Sequence, residues 1–389
     1  MTTPLFVTAH SRAHLPLLFT ATTAVALLVS IAPAFAQGVT KTEILIGQTT
    51  DLTGVQAASS KDIGDAARAY FDKVNKSGGI SGRTITLVSL DDKFDPKLTA
   101  ANATTLALEK DVLAIAFGRG SANAEAVIPI VTENRVPVIG WTGGSMPMHS
   151  PPKRYFFNVR PPYRLEIERA IGQLVAQGAS KIATVYTDDA FGKDALEGFK
   201  EGMKAVKLDS AAIVSIPRGD VKVDDAVAKI VASKADAVIG ICISKPCSEL
   251  VKGLRAASYS GRFLSLSNTA SGAYIKMLGD VGRGVIVTQV FPSPDSVATA
   301  VANDFQKLAA EYKLPLTYTS MEGFVGARVL VEGIKRAGSK PTRESLTNAL
   351  EGMRKFDMGG YVVSFSATDR TGSEVIDLTI IGKDGKFKR

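Results

Sequence analysis

Short runs rich in Val and Ile alternate with segments of helical period along nearly the whole chain, and few architectures accommodate that alternation. Strands buried on both faces read as continuous apolar runs, and parallel neighbours need a crossover, usually a helix. The runs Ile44–Gly47, Thr84–Leu90, Val112–Phe117 and Val136–Trp141 read as strands. Over Lys61–Val74, Ile63, Ala66, Ala67, Tyr70, Phe71 and Val74 recur at helical spacing. Asp95-Pro96 reads as an N-cap followed by a first-turn proline, opening a helix to about Lys110. A second series follows Pro161-Pro162, with strands at Lys181–Tyr186, Ala211–Ile216, Ala237–Ile241, Arg262–Leu266 and Gly284–Val290. Helical patterns fall between the first four of these, and others follow at about 295–312, 320–337 and 342–352. Gly360–Phe365 and Val375–Ile381 read as two strands joined by a turn around Asp369–Gly372. The expected class is α/β, as two successive units of parallel sheet flanked by helices. A chain of 389 residues also exceeds one comfortable core.

The first 36 residues read as an export signal. Arg12 supplies charge, Leu15–Ile31 is mostly apolar, and Ala34-Phe35-Ala36 suits cleavage before Gln37. An uncleaved anchor is the alternative, but the apolar stretch is short and no stop-transfer flank follows it. The absence of Cys at the cleavage point argues against a lipid anchor. The formal net charge of +8 is scattered, with no basic block and no aromatic–basic interleaving, which argues against nucleic-acid binding. Cys242 and Cys247 suit either a local disulfide in an oxidising compartment or two buried thiols. No metal site is expected, since His149 is the only histidine after the signal and no ligand cluster joins the cysteines. Asp91, Asp92 and Asp95 read as a strand end and a helix cap, not as a metal or acid–base cluster.

Two turns carry the functional reading. Phe117-Gly118-Arg119-Gly120-Ser121 and Gly140-Trp141-Thr142-Gly143-Gly144 each end an apolar run and set a hydroxyl among glycines. Twenty-one positions separate Ser121 from Thr142, enough for one helical crossover between parallel neighbours. Ligands of open parallel sheets bind at the carboxyl ends of strands. Two hydroxyls and several free N–H groups would there face one crevice suited to a small anion. Both hydroxyls have an ordinary alternative as cap or turn residues. Trp141 is either a cleft wall or a strand-end core residue. No nucleophile with a candidate base, Gly-x-Ser-x-Gly elbow or phosphate loop is present, so no enzyme and no cofactor are expected. His149, in a Pro/Ser-rich loop, is expected to be exposed.

Ordered landmarks carry a resemblance. They are Gly47 with Leu52-Thr53-Gly54, Asn75-Lys76-Ser77-Gly78-Gly79-Ile80-Ser81-Gly82, Asp91-Asp92 before Asp95-Pro96, Tyr155–Arg160, and Asp188-Asp189-Ala190-Phe191-Gly192. Over nearly all of residues 40–385 the chain resembles periplasmic solute-binding proteins of ABC transporters, of the branched-chain amino acid-binding family. The resemblance implies the type I periplasmic binding fold: two Rossmann-like lobes joined by three crossing hinge strands near 157–161, 287–291 and 356–361. Lobe 1 would hold 40–158 and 290–357; lobe 2 would hold 161–287 and 360–389.

It also implies where a ligand sits. Ser121, Thr142, Gly143 and Gly144 would bind its carboxylate and part of its amino group from lobe 1, with Trp141 beside them. Phe191, Ile243, Ser244 and Ser267 would face them from lobe 2. Tyr318 and Glu322, one helical turn apart, would face the cleft together or support the hinge. Ser267-Asn268 stands where amino-acid binders of the family place an acid for the ammonium, and Ser59-Ser60 where they often place an aromatic. That points away from a standard α-amino acid unless Asp188, Asp189 or Glu322 supplies the charge. The implied protein is a periplasmic monomer that carries a small carboxylate-bearing solute, amino acid-like or an organic or aromatic acid, to an inner-membrane permease; a sensory module of the same fold is the alternative.

Overall fold

The computed structural model describes Met1 and residues 37–389; the export signal read over 1–36 lies outside them apart from Met1. β1 (Glu43–Thr50) starts the first sheet, and α1 (Ala57–Lys76) buries Ile63, Ala67 and Phe71 on its way to β2 (Thr84–Asp91). Asp95 caps α2 (Pro96–Thr104) by accepting the Lys97 N–H, as the Asp-Pro pair predicts. β3 (Ala114–Ala116), α3 (Ser121–Glu133), β4 (Val138–Ile139), the short α4 (Met146–His149) and β5 (Phe156–Phe157) complete this series. The sheet order is β2-β1-β3-β4-β5 with every pair parallel. Strand order therefore reverses between β1 and β3.

The second sheet repeats this plan. It is built from α5 (Tyr163–Ala176), β6 (Ile182–Asp188), α6 (Ala190–Ala205), β7 (Ala212–Pro217), α7 (Asp224–Ser233), β8 (Ala237–Ile241), α8 (Ser244–Ala256), β9 (Arg262–Ser265), α9 (Gly272–Leu278) and β10 (Ile286–Gln289). β7, β6, β8, β9 and β10 are parallel in that order, so the reversal falls between β6 and β8.

After β10 the chain returns to the first sheet. α10 (Ala300–Tyr312), α11 (Tyr318–Arg336) and α12 (Arg343–Glu351) carry Phe305, Phe324, Leu330 and Leu350 into the core built on α1 and β1. Full burial of such side chains contributes roughly 1.5–3 kcal/mol each. The other face of that sheet packs Leu106, Val127, Trp141 and Phe156. The second sheet is likewise covered on both faces, by one cluster around Leu250 and Phe263 and another around Ile171 and Phe199.

The C-terminal region departs from expectation. β11 (Phe356–Asp357) pairs antiparallel with β12 (Val362–Val363), whereas β13 (Asp377–Ile381) pairs antiparallel with β10 and with β14 (Phe387–Lys388). The two runs joined by the turn around Asp369–Gly372 therefore belong to different sheets. Met358, Tyr361, Val363 and Phe365 lie in the first core, so the third passage between the sheets follows them, just before β13, and not at 356–361. Alternation of apolar residues marks a strand but not its partner, and here the partner is chosen by the core. The three passages are tied together: Asn158 bridges to Thr371, and the Tyr361 hydroxyl lies 3.1 Å from the main-chain oxygens of both Val159 and Val290. Among the described residues no helix is long and apolar enough to cross a membrane.

Candidate functional site

The carboxyl ends of the two sheets face one cleft, and each sheet brings its reversal point to it. From the first sheet come Gln56 after β1, Phe94 after β2, Arg119 to Asn123 after β3 and Thr142 after β4. From the second come Asp189 and Phe191 after β6, Arg218 after β7, Ile243 after β8 and Asn268 after β9, with Tyr163 at the start of α5. A strand-order reversal opens a crevice because the flanking crossovers leave in opposite directions. The cavity left between the two walls is about 30 Å³, and about 420 Å³ only when interstitial space and the open mouth are counted.

The Gly-Arg-Gly turn is shaped by its neighbours. Beyond β3 and β4 the ladder continues, with Thr142 N–H donating to the Gly118 oxygen and Gly120 N–H to the Thr142 oxygen, both at 2.8 Å. The two glycine–hydroxyl turns are thus held side by side. Gly118 lies flat on the Trp141 ring, where a Cβ would come within 2.2 Å. Gly120 has φ +93°, which only glycine adopts readily, and a Cβ there would meet the Phe94 ring and the Asn123 side chain. Gly120 is the N-cap of α3, and no side chain caps that helix. The N–H groups of its first turn consequently remain for a ligand, at the positive end of the helix dipole.

Arg119 and Ser121 stand at this helix start. The buried Arg119 guanidinium donates through Nη2 to the main-chain oxygen of Asn268 at 2.9 Å. Neither Arg119 Nη1 nor Ser121 Oγ has a partner among the described residues. Burial holds the Arg119 pKa below its ordinary value, against the attraction of Glu322.

Thr142 is differently employed. Its hydroxyl donates to Glu322 Oε1 at 2.9 Å, which commits its one hydrogen. Behind it lies a buried charge network. Arg160 pairs with Glu166 at 2.7 Å and lies 3.9 Å from Glu322. Glu166 also accepts from Ser267 N–H, Ser267 Oγ and Thr288 Oγ1. Burial pushes the Glu322 pKa up despite Arg160, Arg119 and the Thr142 hydroxyl. Burial also opposes the charge on Arg160, yet Tyr163, Glu166 and Glu322 carry its pKa above the ordinary value.

The opposite wall is apolar with one ion pair. Phe191 and Tyr163 meet edge to face at 4.8 Å, and Arg218 lies over the Phe94 ring at 5.3 Å. Asp189 caps α6 by accepting the Gly192 N–H at 2.9 Å and has Arg218 Nε at 3.9 Å; burial raises its pKa. Cys242 and Cys247 are joined as a disulfide that brackets the Ile243–Ser244 turn, which settles the choice the sequence left open.

The residues expected at the site divide accordingly. Ser121, Thr142, Phe191 and Ile243 line the cleft. Trp141 is a core residue, donating to the Gly120 oxygen and packing on Phe156. Gly143 abuts Met148, and Gly144 accepts the Tyr163 N–H at 2.8 Å, so both lie behind the wall. Ser244 is buried at the start of α8, and Ser267 is drawn into the Arg160–Glu166 network. Tyr318 does not face the cleft with Glu322; it packs on Phe387 in the second core and lines a separate surface pocket. His149 is buried, not exposed, with Nδ1 2.8 Å from Thr371 Oγ1. Asp91 accepts the Leu52 N–H from the loop after β1 and the Lys93 N–H, and Asp92 accepts the Phe94 N–H. Sequence reasoning missed Arg119, Phe94 and Arg218. Only Arg119 left a signal, as a charge between two glycines directly after a buried strand.

The profile described as Periplasmic binding protein matches residues 43–386. A Leu/Ile/Val-binding protein, BraC3, of Rhizobium johnstonii is 25% identical over 86% of this chain and 91% of its own. A substrate-binding periplasmic protein of known structure from Ralstonia solanacearum is 34% identical, with a TM-score of 0.84 over 88% of this chain and 99% of the other. A branched-chain amino acid ABC transporter structure with bound valine, from Thermus thermophilus, shares the fold at 17% identity, with a TM-score of 0.80 over 89% of this chain and 94% of the other.

Proposed function

This chain belongs to the periplasmic binding protein family, whose members hold ligands and do not transform them, and from that premise we propose that it captures a small carboxylate-bearing solute for an ABC importer. The uncapped start of α3 carries the reading, since its free N–H groups and the Ser121 hydroxyl offer neutral donors to an anion inside a largely apolar cleft. Relatives named for leucine, isoleucine and valine bind solutes that combine a carboxylate with an apolar body. Both halves of that description have a counterpart here, the anion corner on the first sheet and the Phe191–Tyr163 wall on the second.

On this reading the signal over residues 1–36 directs export and is removed after Ala36, and the protein works as a periplasmic monomer. Two lobes, one on each sheet, would open and close about the three passages. A solute touching both sheets favours the closed arrangement, because the open one offers it only half of its contacts. The closed form would then be the one an inner-membrane permease receives.

The test is a thermal-shift screen of the purified protein, unfolded and refolded to shed any carried-over solute. Amino acids, aliphatic acids, aromatic acids and the amides of each are compared at equal concentration. Carboxylates should raise Tm, and their amides should not. A response from the amides alone would overturn the proposal.

A further inference from the structure

The two walls of the cleft touch each other directly at its mouth. Arg218, in the loop after β7, donates through Nη2 to the main-chain oxygen of Phe94, in the loop after β2, at 3.0 Å. Its guanidinium also lies over the Phe94 ring at 5.3 Å, and Asp189 steadies it from its own wall, 3.9 Å from Nε. One cation therefore holds one residue of the facing wall twice, by its oxygen and by its ring. A charged donor makes a stronger hydrogen bond than a neutral one, and the ring face adds to the attraction.

Phe94 is fixed for this contact by its own wall. Lys93 and Phe94 both have positive φ, 50° and 62°, which residues with a Cβ seldom adopt. The carboxylates of Asp91 and Asp92 pin them there, accepting the Lys93 N–H at 3.0 Å and the Phe94 N–H at 2.9 Å. Asp92 is itself buried and takes the hydroxyls of Thr49 and Thr99. The Phe94 ring lies on Gly120, where a Cβ would come within 2.8 Å of it. A strained turn persists only where its surroundings over-determine it, and this one presents both ring and oxygen to the opposite wall.

With Arg218 against Phe94 the cavity is about 30 Å³, room for about two water molecules. A solute the size of an amino acid passes only when the two residues part. We propose that Arg218 and Phe94 form a clasp across the cleft, which holds the two lobes together through protein contacts and must release for solute to exchange. The inference rests on the proposal that two lobes open and close about the three passages, and it names the residues that govern the opening step. Arg119 makes a second bond across the cleft, to Asn268, from a buried position. Arg218, its side chain 33% exposed, stands where opening begins.

Single-molecule energy transfer on the refolded protein, with no solute added, tests the clasp. Dyes are carried on Thr104→Cys at the end of α2 and Lys229→Cys in α7, the helices that follow the two clasped loops. Both positions are exposed, and the native cysteines are buried and joined to each other. Arg218→Ala should raise the ratio of open to closed molecules about tenfold. Phe94→Ala keeps the main-chain oxygen and loses only the ring, so it should raise that ratio about threefold. An unchanged ratio in both single variants would overturn the clasp. The Arg119→Gln, Arg218→Ala double variant shows which reading has then failed. If it opens while the single variants do not, the clasp falls and the two-lobe reading stands. If every form, the double variant included, shows one unchanging transfer level, the lobes do not part and both fall together.

Discussion

Arg119 Nη2 reaches the main-chain oxygen of Asn268 at 2.9 Å, joining the end of β3 in the first sheet to the turn after β9 in the second. One guanidinium thus closes the cleft through Nη2 and leaves Nη1 unpartnered among the described residues. The acceptor is main chain, so the contact does not depend on residue 268. The Asn268 amide also donates to the Cys242 main-chain oxygen at 3.1 Å, so Asn268→Ala should lower the unfolding free energy by about 1–3 kcal/mol while leaving the Arg119 contact in place, which urea denaturation would establish.

Ser121 and Thr142, which look equivalent in sequence, should behave as opposites. Thr142→Val strips Glu322 of its hydroxyl donor, and an under-satisfied buried carboxylate costs about 1–3 kcal/mol in unfolding free energy. Ser121→Ala removes a hydroxyl with no protein partner and should leave stability within about 0.5 kcal/mol. Urea denaturation of both variants checks this, and equal losses would refute the assignment.

Arg160 neutralises two buried acids at once. Arg160→Met should lower the unfolding free energy by about 3–5 kcal/mol, because breaking a buried pair strands the charges it held. Adding Glu166→Gln should recover part of that loss. A double variant no more stable than Arg160→Met would mean that the charges are not coupled.

The Cys242–Cys247 bridge closes a short loop at the cleft wall. Loop-closure entropy for so small a ring gives about 2 kcal/mol. Dithiothreitol should therefore lower Tm in the wild type and leave the Cys242→Ser, Cys247→Ser double variant unchanged.

Two buried groups give opposite pH dependence. Burial raises the Asp92 carboxyl to about 6, so between pH 6 and about 4 the folded state takes up a proton before the unfolded chain does, and stability rises on acidification. Burial drops His149 to about 3, so below about 6.5 the unfolded chain takes up the proton first, and stability falls. Asp92→Asn should make stability fall more steeply from pH 6 to 4 than in the wild type, and His149→Gln less steeply. Melts across that range would expose a wrong sign in either.

The parallel α/β class, most of its strands and the cap at Asp95 were legible because period and capping are local properties. Ser121 and Phe191 were legible for a related reason: a residue that follows a buried strand in a parallel sheet lies at the ligand edge wherever the sheet stands in space. Tyr318 and Ser267 were misplaced because the direction of a side chain depends on what packs against it. Tyr318 found Phe387 from the far end of the chain, and Ser267 found Glu166. The third passage was misplaced for the same reason, since Tyr361 and Phe365 are held by the first core.

The sequence by itself determined two strand-and-helix series and a pair of glycine–hydroxyl turns suited to an anion. Tertiary structure decided which hydroxyl remains free, by turning Thr142 toward Glu322, and it brought Arg119 against Asn268 with a donor to spare. The physical reason is one of range. Strand, helix and cap are set by residues a few positions apart, whereas the bonds from Arg119 to Asn268 and from Thr142 to Glu322 join residues more than a hundred positions apart, and only the folded chain brings them together.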